Sequence, residues 1–200
     1  MRIFFALSLL CTAASVSAQD RHLVSPDGAI DVTIGQDATS KGPTYAIAFR
    51  GRSVIATSPL GLAFESYKKL GPDTAVTATT RASADTRYRL LAGKTALARD
   101  QYNELTLAFT ETGGARRRLE IVFRAYDDGV AFRYRLPVQP GFTDLRLAGE
   151  LTEFAFPADY HCWGLNLGRF DTSHEGEYDP LTASQVRPHN LFETPVTCRT

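Results

Sequence analysis

An all-β chain folded as an antiparallel β-sandwich is what this sequence predicts, and three observations carry the prediction. Apolar residues recur at every second position in successive short runs, with little repetition at helical spacing. Gly, Asp and Pro turns separate those runs. The segment Phe123–Pro137, FRAYDDGVAFRYRLP, reads as the second strand and turn of a hairpin with its predecessor. Leu119, Ile121 and Phe123 share one face, Val130, Phe132, Tyr134 and Leu136 share one face, and Asp127-Asp128-Gly129 breaks between them.

Taken in order, residues 1–18 read as an export signal. Arg2 supplies the positive end, Ile3–Cys11 is an apolar run too short to span a bilayer, and Ala13-Ala14-Ser15-Val16-Ser17-Ala18 offers small residues for cleavage between Ala18 and Gln19. Leu10 before Cys11 excludes a lipoprotein site. No second apolar run approaches the roughly 20 residues a membrane helix needs, so the expected mature chain, 19–200, is exported to the periplasm or the extracellular medium without a membrane partner.

Its strands follow. Ile30, Val32 and Ile34 alternate with Asp31 and Thr33. Tyr45, Ile47 and Phe49 alternate with alanines, and an Arg50-Gly51-Arg52 turn leads into Ser53–Ala56. Leu105, Leu107 and Phe109 alternate with Glu104, Thr106 and Ala108 before a turn at Glu111–Gly114. Further on, Leu145, Leu147, Gly149 and Leu151 keep odd phase while Phe154 and Phe156 fall on even positions. One regular strand cannot bury both sets, so a bulge or break is expected near Thr152, with Pro157 as the strand's end. Residues 158–200 show weaker alternation and read as longer loops and short pieces, where binding residues tend to collect. Glu193–Thr200 looks like the start of another strand.

Charge narrows the partners. The chain has 22 basic and 22 acidic residues, and removing Arg2 with the signal leaves 21 against 22, a balance of −1. That balance argues against nucleic acid, which selects a clustered positive excess. The one basic run, Arg116-Arg117-Arg118, reads as a solvated hairpin shoulder. Without the signal and its Cys11, two cysteines remain, Cys162 and Cys198; a disulfide and two buried thiols are both open, and no zinc spacing is present.

Four blocks taken in order, SPLGL at Ser58–Leu62, YNEL at Tyr102–Leu105, the Phe123–Pro137 hairpin and ELTEF at Glu150–Phe154, resemble the N-terminal domain of glycoside hydrolase family 97. The likeness runs from about Val24 to the last residue. The family contains α-glucosidases and α-galactosidases of bacterial polysaccharide-utilising systems. The resemblance implies a β-sandwich of the super-sandwich type, incomplete at the C-terminus, that leads in longer proteins into a catalytic (β/α)8 barrel. It also implies an α-linked oligosaccharide as the whole enzyme's substrate and the barrel as this domain's partner. The 200 residues are therefore expected to be part of a longer enzyme, the other reading being a free-standing carbohydrate-binding sandwich.

Glycoside hydrolysis uses two carboxyl groups flanking the bond. In the resembled family these lie on the barrel, and no βα repeats occur here, so no catalytic residue is assigned. Asp127 and Asp128 read as turn residues, Glu150 and Glu153 as strand-flanking acids, and Glu104 as a strand residue alternating with an apolar face. His174-Glu175-Gly176-Glu177-Tyr178-Asp179 resembles the family's Tyr-Glu-x-x-Tyr segment, with His174 replacing the first tyrosine. That resemblance puts Glu175 on the glutamate lent to a calcium ion shared with the barrel, Glu177 being the alternative if the register slips. Calcium takes six to eight oxygen ligands, so one carboxylate is a contribution and not a site. The single tryptophan, Trp163, has two readings in its Gly-rich surroundings: a platform that stacks on a sugar, or a core plug. His22 and His189 have no partner spacing.

Overall fold

The computed structural model describes residues 21–200; the expected signal at 1–18 lies outside the described residues. Thirteen strands make up the fold among the described residues. They are β1 (His22–Val24), β2 (Ile30–Gln36), β3 (Pro43–Phe49), β4 (Arg52–Pro59), β5 (Leu62–Phe64), β6 (Thr74–Arg89), β7 (Leu97–Glu111), β8 (Arg118–Ala125), β9 (Val130–Arg135), β10 (Leu147–Glu150), β11 (His161–Asn166), β12 (Asp179–Thr182) and β13 (Phe192–Arg199). Two antiparallel four-stranded sheets, β1-β2-β3-β4 and β6-β7-β8-β9, form the body, beside a β10-β5 pair and a three-stranded sheet ordered β12-β11-β13.

Alternation decides which side of each sheet is buried. On β2, Ile30, Val32 and Ile34 are buried while Asp31 and Thr33 face outward. Leu105, Leu107 and Phe109 on β7, with Leu119, Ile121, Phe123 and Ala125 on β8, are wholly excluded from solvent. The apolar faces of the two sheets form one cluster. Tyr45 of the first sheet lies 6.2 Å from Phe123 and 5.3 Å from Phe132 of the second, ring centre to ring centre. The expected sandwich is thus the observed one.

Both expected hairpins form. Phe123 pairs with Phe132 and Ile121 with Tyr134, and Tyr126 N donates to Gly129 O at 2.8 Å to close the Asp127-Asp128 turn. Val130, Phe132 and Tyr134 pack against the core but stay partly exposed, because β9 is an edge strand with one neighbour. At the other hairpin, Arg50 and Gly51 take φ of 49° and 77°, the left-handed pair a two-residue turn between twisted strands needs. Phe49 keeps its phase yet is 43% exposed at the sheet's end, covered by the Arg50 guanidinium 5.0 Å from its ring centre.

Three expectations are corrected. The strand with two phases stops at Glu150, not at Pro157. Beyond it the chain holds to the β4–β5 region through single hydrogen bonds, Leu151 N to Gly61 O, Glu153 N to Pro59 O and Ala56 N to Ala155 O. Phe154 and Phe156 consequently stay 59% and 40% exposed. Residues 158–200 carry three strands and a 3-10 turn at Ala183–Gln185. Their pattern is obscured because Pro180 and Pro195 sit inside β12 and β13 and the β11–β13 register shifts between Trp163 and Leu165.

The third correction concerns the arginine run, whose middle member is not solvated. Arg117 is 7% exposed. Its Nη2 lies 2.5 Å from Glu111 Oε1, and Nε and backbone N both donate to Glu111 Oε2 at 2.9 Å. Nη1 and Nη2 also donate to the carbonyls of Lys68 and Lys69. A left-handed Arg116, φ 56°, turns this one side chain inward.

Cys162 and Cys198 are bonded to each other and face one another across β11 and β13. The bridge closes a separation of 36 residues that spans the whole acidic segment. Its removal is expected to cost about 2–4 kcal/mol, mainly by freeing the unfolded chain. Urea unfolding of the oxidised chain against the Cys162→Ala/Cys198→Ala double variant measures this; a loss below ~0.5 kcal/mol would show that the bridge closes nothing the fold does not already hold.

Candidate functional site

The β12-β11-β13 sheet is where the sequence-predicted site residues gather. Along β11, Cys162 and Gly164 are buried and His161 and Trp163 are exposed, as pleating requires. Trp163 is 40% exposed and sits opposite Pro180 on β12 and Thr197 on β13. It is therefore a strand residue on an open face, neither in a loop nor a core plug. His161, Trp163, Pro180, Leu181 and Arg199 line a concavity of about 390 Å³ there.

From β11 the chain enters the segment 167–178. Leu167 N donates to Leu191 O at 2.8 Å, and Asn166 Oδ1 accepts from Leu191 N at 3.2 Å, so the two ends of the loop are tied. Within it, His174 N donates to Thr172 Oγ1. The His174 ring spans outward, with Nδ1 3.2 Å from Glu193 Oε1 and Nε2 3.2 Å from Phe170 O. Two residues on, Gly176 lies against Leu165: a β-carbon there would stand 2.7 Å from Leu165 Cδ1. On the far side of the loop, Ser184 N and Oγ donate to Asp159 at 2.7 and 2.8 Å, and these bonds hold the Asp159 carboxyl below the usual carboxylate range.

Glu175 and Glu177 are exposed, and among the described residues no hydrogen bond or ion pair engages either carboxylate. As hard oxygen donors they suit calcium in kind. They do not suffice in number: among the described residues no group of three or more His, Cys, Asp or Glu is placed to hold an ion.

The other acids have structural employment. Glu104 Oε2 accepts from Arg124 Nε at 2.7 Å, and the Arg124 guanidinium lies 4.0 Å from the Tyr102 ring centre. The Thr152 hydroxyl donates to Glu150 at 3.0 Å. The Glu153 carbonyl accepts from Tyr45 Oη at 2.9 Å; burial pushes that phenol up to about 12. His22 lies 3.1 Å from Asp31. The four sequence blocks meet in two places. Tyr134 Oη contacts Gly61 N and Thr152 Oγ1, at 3.0 and 2.7 Å, which joins SPLGL, the hairpin and ELTEF. Tyr102 and Glu104 join YNEL to the same hairpin through Arg124 and Tyr126. Arg117 and His174 are the residues sequence reasoning passed over. For His174 a signal existed, its departure from tyrosine; for Arg117 the flanking arginines concealed it.

Comparison with known proteins places these features. The profile of a family described as Glycosyl-hydrolase 97 N-terminal matches residues 23–200. A retaining alpha-galactosidase of Bacteroides thetaiotaomicron is 30% identical over 156 residues, 78% of this chain and 22% of that protein. A probable retaining alpha-galactosidase of Streptomyces bingchenggensis is 30% identical over 197 residues, 94% of this chain and 29% of that protein. A glycoside hydrolase family 97 enzyme from Pseudoalteromonas sp. strain K8, solved in complex with acarbose, superposes with a TM-score of 0.78 at 30% identity, over 89% of this chain and 26% of that one. The chain therefore spans about a quarter of the length of the relatives it matches.

Proposed function

Because this chain belongs to glycoside hydrolase family 97 through its N-terminal domain, we propose that it is the non-catalytic N-terminal β-sandwich of a longer, exported α-glycosidase. Its part is to frame the active site and to lend the Glu175 carboxylate to a calcium ion shared with a C-terminal barrel. The observation that carries the reading is the extent of the match: 78% and 94% of this chain align, yet with only 22% and 29% of the two relatives. The carboxylate pair of the reaction then belongs to the remainder. The substrate class is an α-linked oligosaccharide, supported by relatives named alpha-galactosidases and by a relative solved with acarbose. Export to the periplasm or medium is supported by the disulfide, which persists in oxidising compartments, and by the leader-like residues 1–18.

In that enzyme the bound calcium would supply a fixed positive charge at the mouth of the active site. Glu175 offers it an oxygen from an exposed turn, and Glu177 is the alternative donor two residues away. The purified 200-residue chain is expected to release no product from aryl α-glucosides or α-galactosides; turnover that persists through a contaminant control would overturn this. In the longer enzyme, Glu175→Gln is expected to raise the calcium needed for half-maximal activity, with recovery at excess calcium. In the chain alone the same change stays within about ±0.5 kcal/mol, the surface range. A calcium effect at Glu177→Gln instead would move the ligand by two residues, and none at either would end the metal reading.

One observation favours a second reading, a free-standing carbohydrate-binding module: Trp163 stands on an open sheet face beside a concavity. As the chain's one tryptophan, it reports directly. Saturable fluorescence change on titrating the isolated chain with an α-linked oligosaccharide supports this reading, and a flat titration removes it.

A further inference from the structure

The segment that presents Glu175 is held by unusual means for an exposed loop. Its ends are joined to each other through Leu167, Leu191 and Asn166, and between them the His174 side chain links it to the sheet. His174 stands in a left-handed conformation, φ 58°, which a non-glycine residue adopts only where its surroundings compensate. That conformation carries its ring between two oxygens, Glu193 Oε1 on β13 and the Phe170 carbonyl within the loop, each 3.2 Å away. Glu193 pairs with Leu165 of β11, the residue whose side chain also touches Gly176. Residues on both sides of Glu175 are thereby referred to one point, the Leu165–Glu193 step of the sheet. The bond between Cys162 and Cys198 locks β11 to β13 a few residues further along.

We propose that His174 is a positioning residue: with Nδ1–H donating to Glu193 it clasps the segment 167–178 onto the three-stranded sheet and thereby sets the place of the Glu175 carboxylate. The inference rests on the reading of Glu175 as a calcium donor for its purpose, but not for its geometry.

Arg169, exposed inside the loop, provides the test, because trypsin cuts there only when the loop opens. In the 200-residue chain under mild digestion, His174→Ala is expected to speed cleavage at Arg169 by about three- to tenfold, the change in open population from losing a hydrogen bond. His174→Gln, which keeps a donor of similar reach, is expected to restore much of the protection, and Glu193→Ala to resemble His174→Ala. Unchanged cleavage in His174→Ala overturns the clasp, as does a His174→Gln variant no better protected than alanine. In the longer enzyme proposed above, His174→Ala is expected to shift the calcium midpoint of protection at Arg169 upward while the rate at saturating calcium is kept. A loosened loop with an unmoved midpoint overturns the positioning role. If Glu175→Gln also leaves the midpoint unmoved, the metal reading has failed, and cleavage in the isolated chain alone decides the clasp.

Discussion

Truncating Phe123 to alanine should cost about 3–5 kcal/mol, a large fraction of the stability of an ordinary domain. The ring is wholly excluded from solvent and touches both sheets, with Tyr45 at 6.2 Å and Phe132 at 5.5 Å. Its removal leaves a cavity bordered by strands that cannot collapse, since each is pinned by its ladder. Phe132 shares the cluster but lies on the edge strand β9 and is only partly buried, so Phe132→Ala should cost less, about 2 kcal/mol. Urea unfolding of the two variants measures the difference. Equal losses would mean that β9 closes over the core more fully than its exposure indicates, and a loss below ~1 kcal/mol for Phe123 would mean the sheets do not pack on it.

The second large effect belongs to the ion pair between Glu111 and Arg117. Both side chains are nearly excluded from water, 15% and 8% exposed, and removing one partner strands the other. Glu111→Ala is expected to cost about 3 kcal/mol, at the low end for breaking a buried pair because Arg117 retains two carbonyl partners. The pair also gives stability a pH dependence. Hydrogen bonds from the Arg117 side chain hold the Glu111 carboxyl below its ordinary value of 4.5. The unfolded chain therefore takes up the proton first, and the pair's contribution is complete above about 4.5 and is lost as the pH falls through the lower, folded value. Unfolding free energies of Glu111→Gln and the parent chain should differ most near neutrality and converge in acid. A constant gap across that range would contradict the assignment.

How far these features were legible depended on whether one side of a strand was buried. β2, β7 and β8 announce themselves because Ile30, Val32, Ile34, Leu105, Leu107, Phe109, Ile121 and Phe123 all fall on one face in a period of two. β6 does not. From Ala75 to Glu104 no residue of the β6–β7 ribbon is buried, so selection for a core never imposed an apolar side, and Thr-Arg-Ala-Ser-Ala-Asp gives periodicity nothing to detect. Arg117 is invisible for another reason: three identical side chains in a row carry no sign of which one the backbone turns inward. The acidic segment was legible by likeness alone. Its placement in space, with Glu175 exposed and His174 bound between Glu193 and Phe170, depends on a pairing of β11 and β13 that sequence does not encode locally.

The long strand β6 has one more consequence. It forms one border of its sheet, sixteen residues of extended backbone with a neighbouring strand, among the described residues, on one side only. A border of that length is a template for runaway stacking of copies into fibrils. Arg81, Asp85, Arg87 and Arg89 punctuate it, so that a second copy laid alongside in parallel register would set like charge against like charge at each of the four. The charges that gave this segment no signature as part of a core oppose such addition when copies are brought into register.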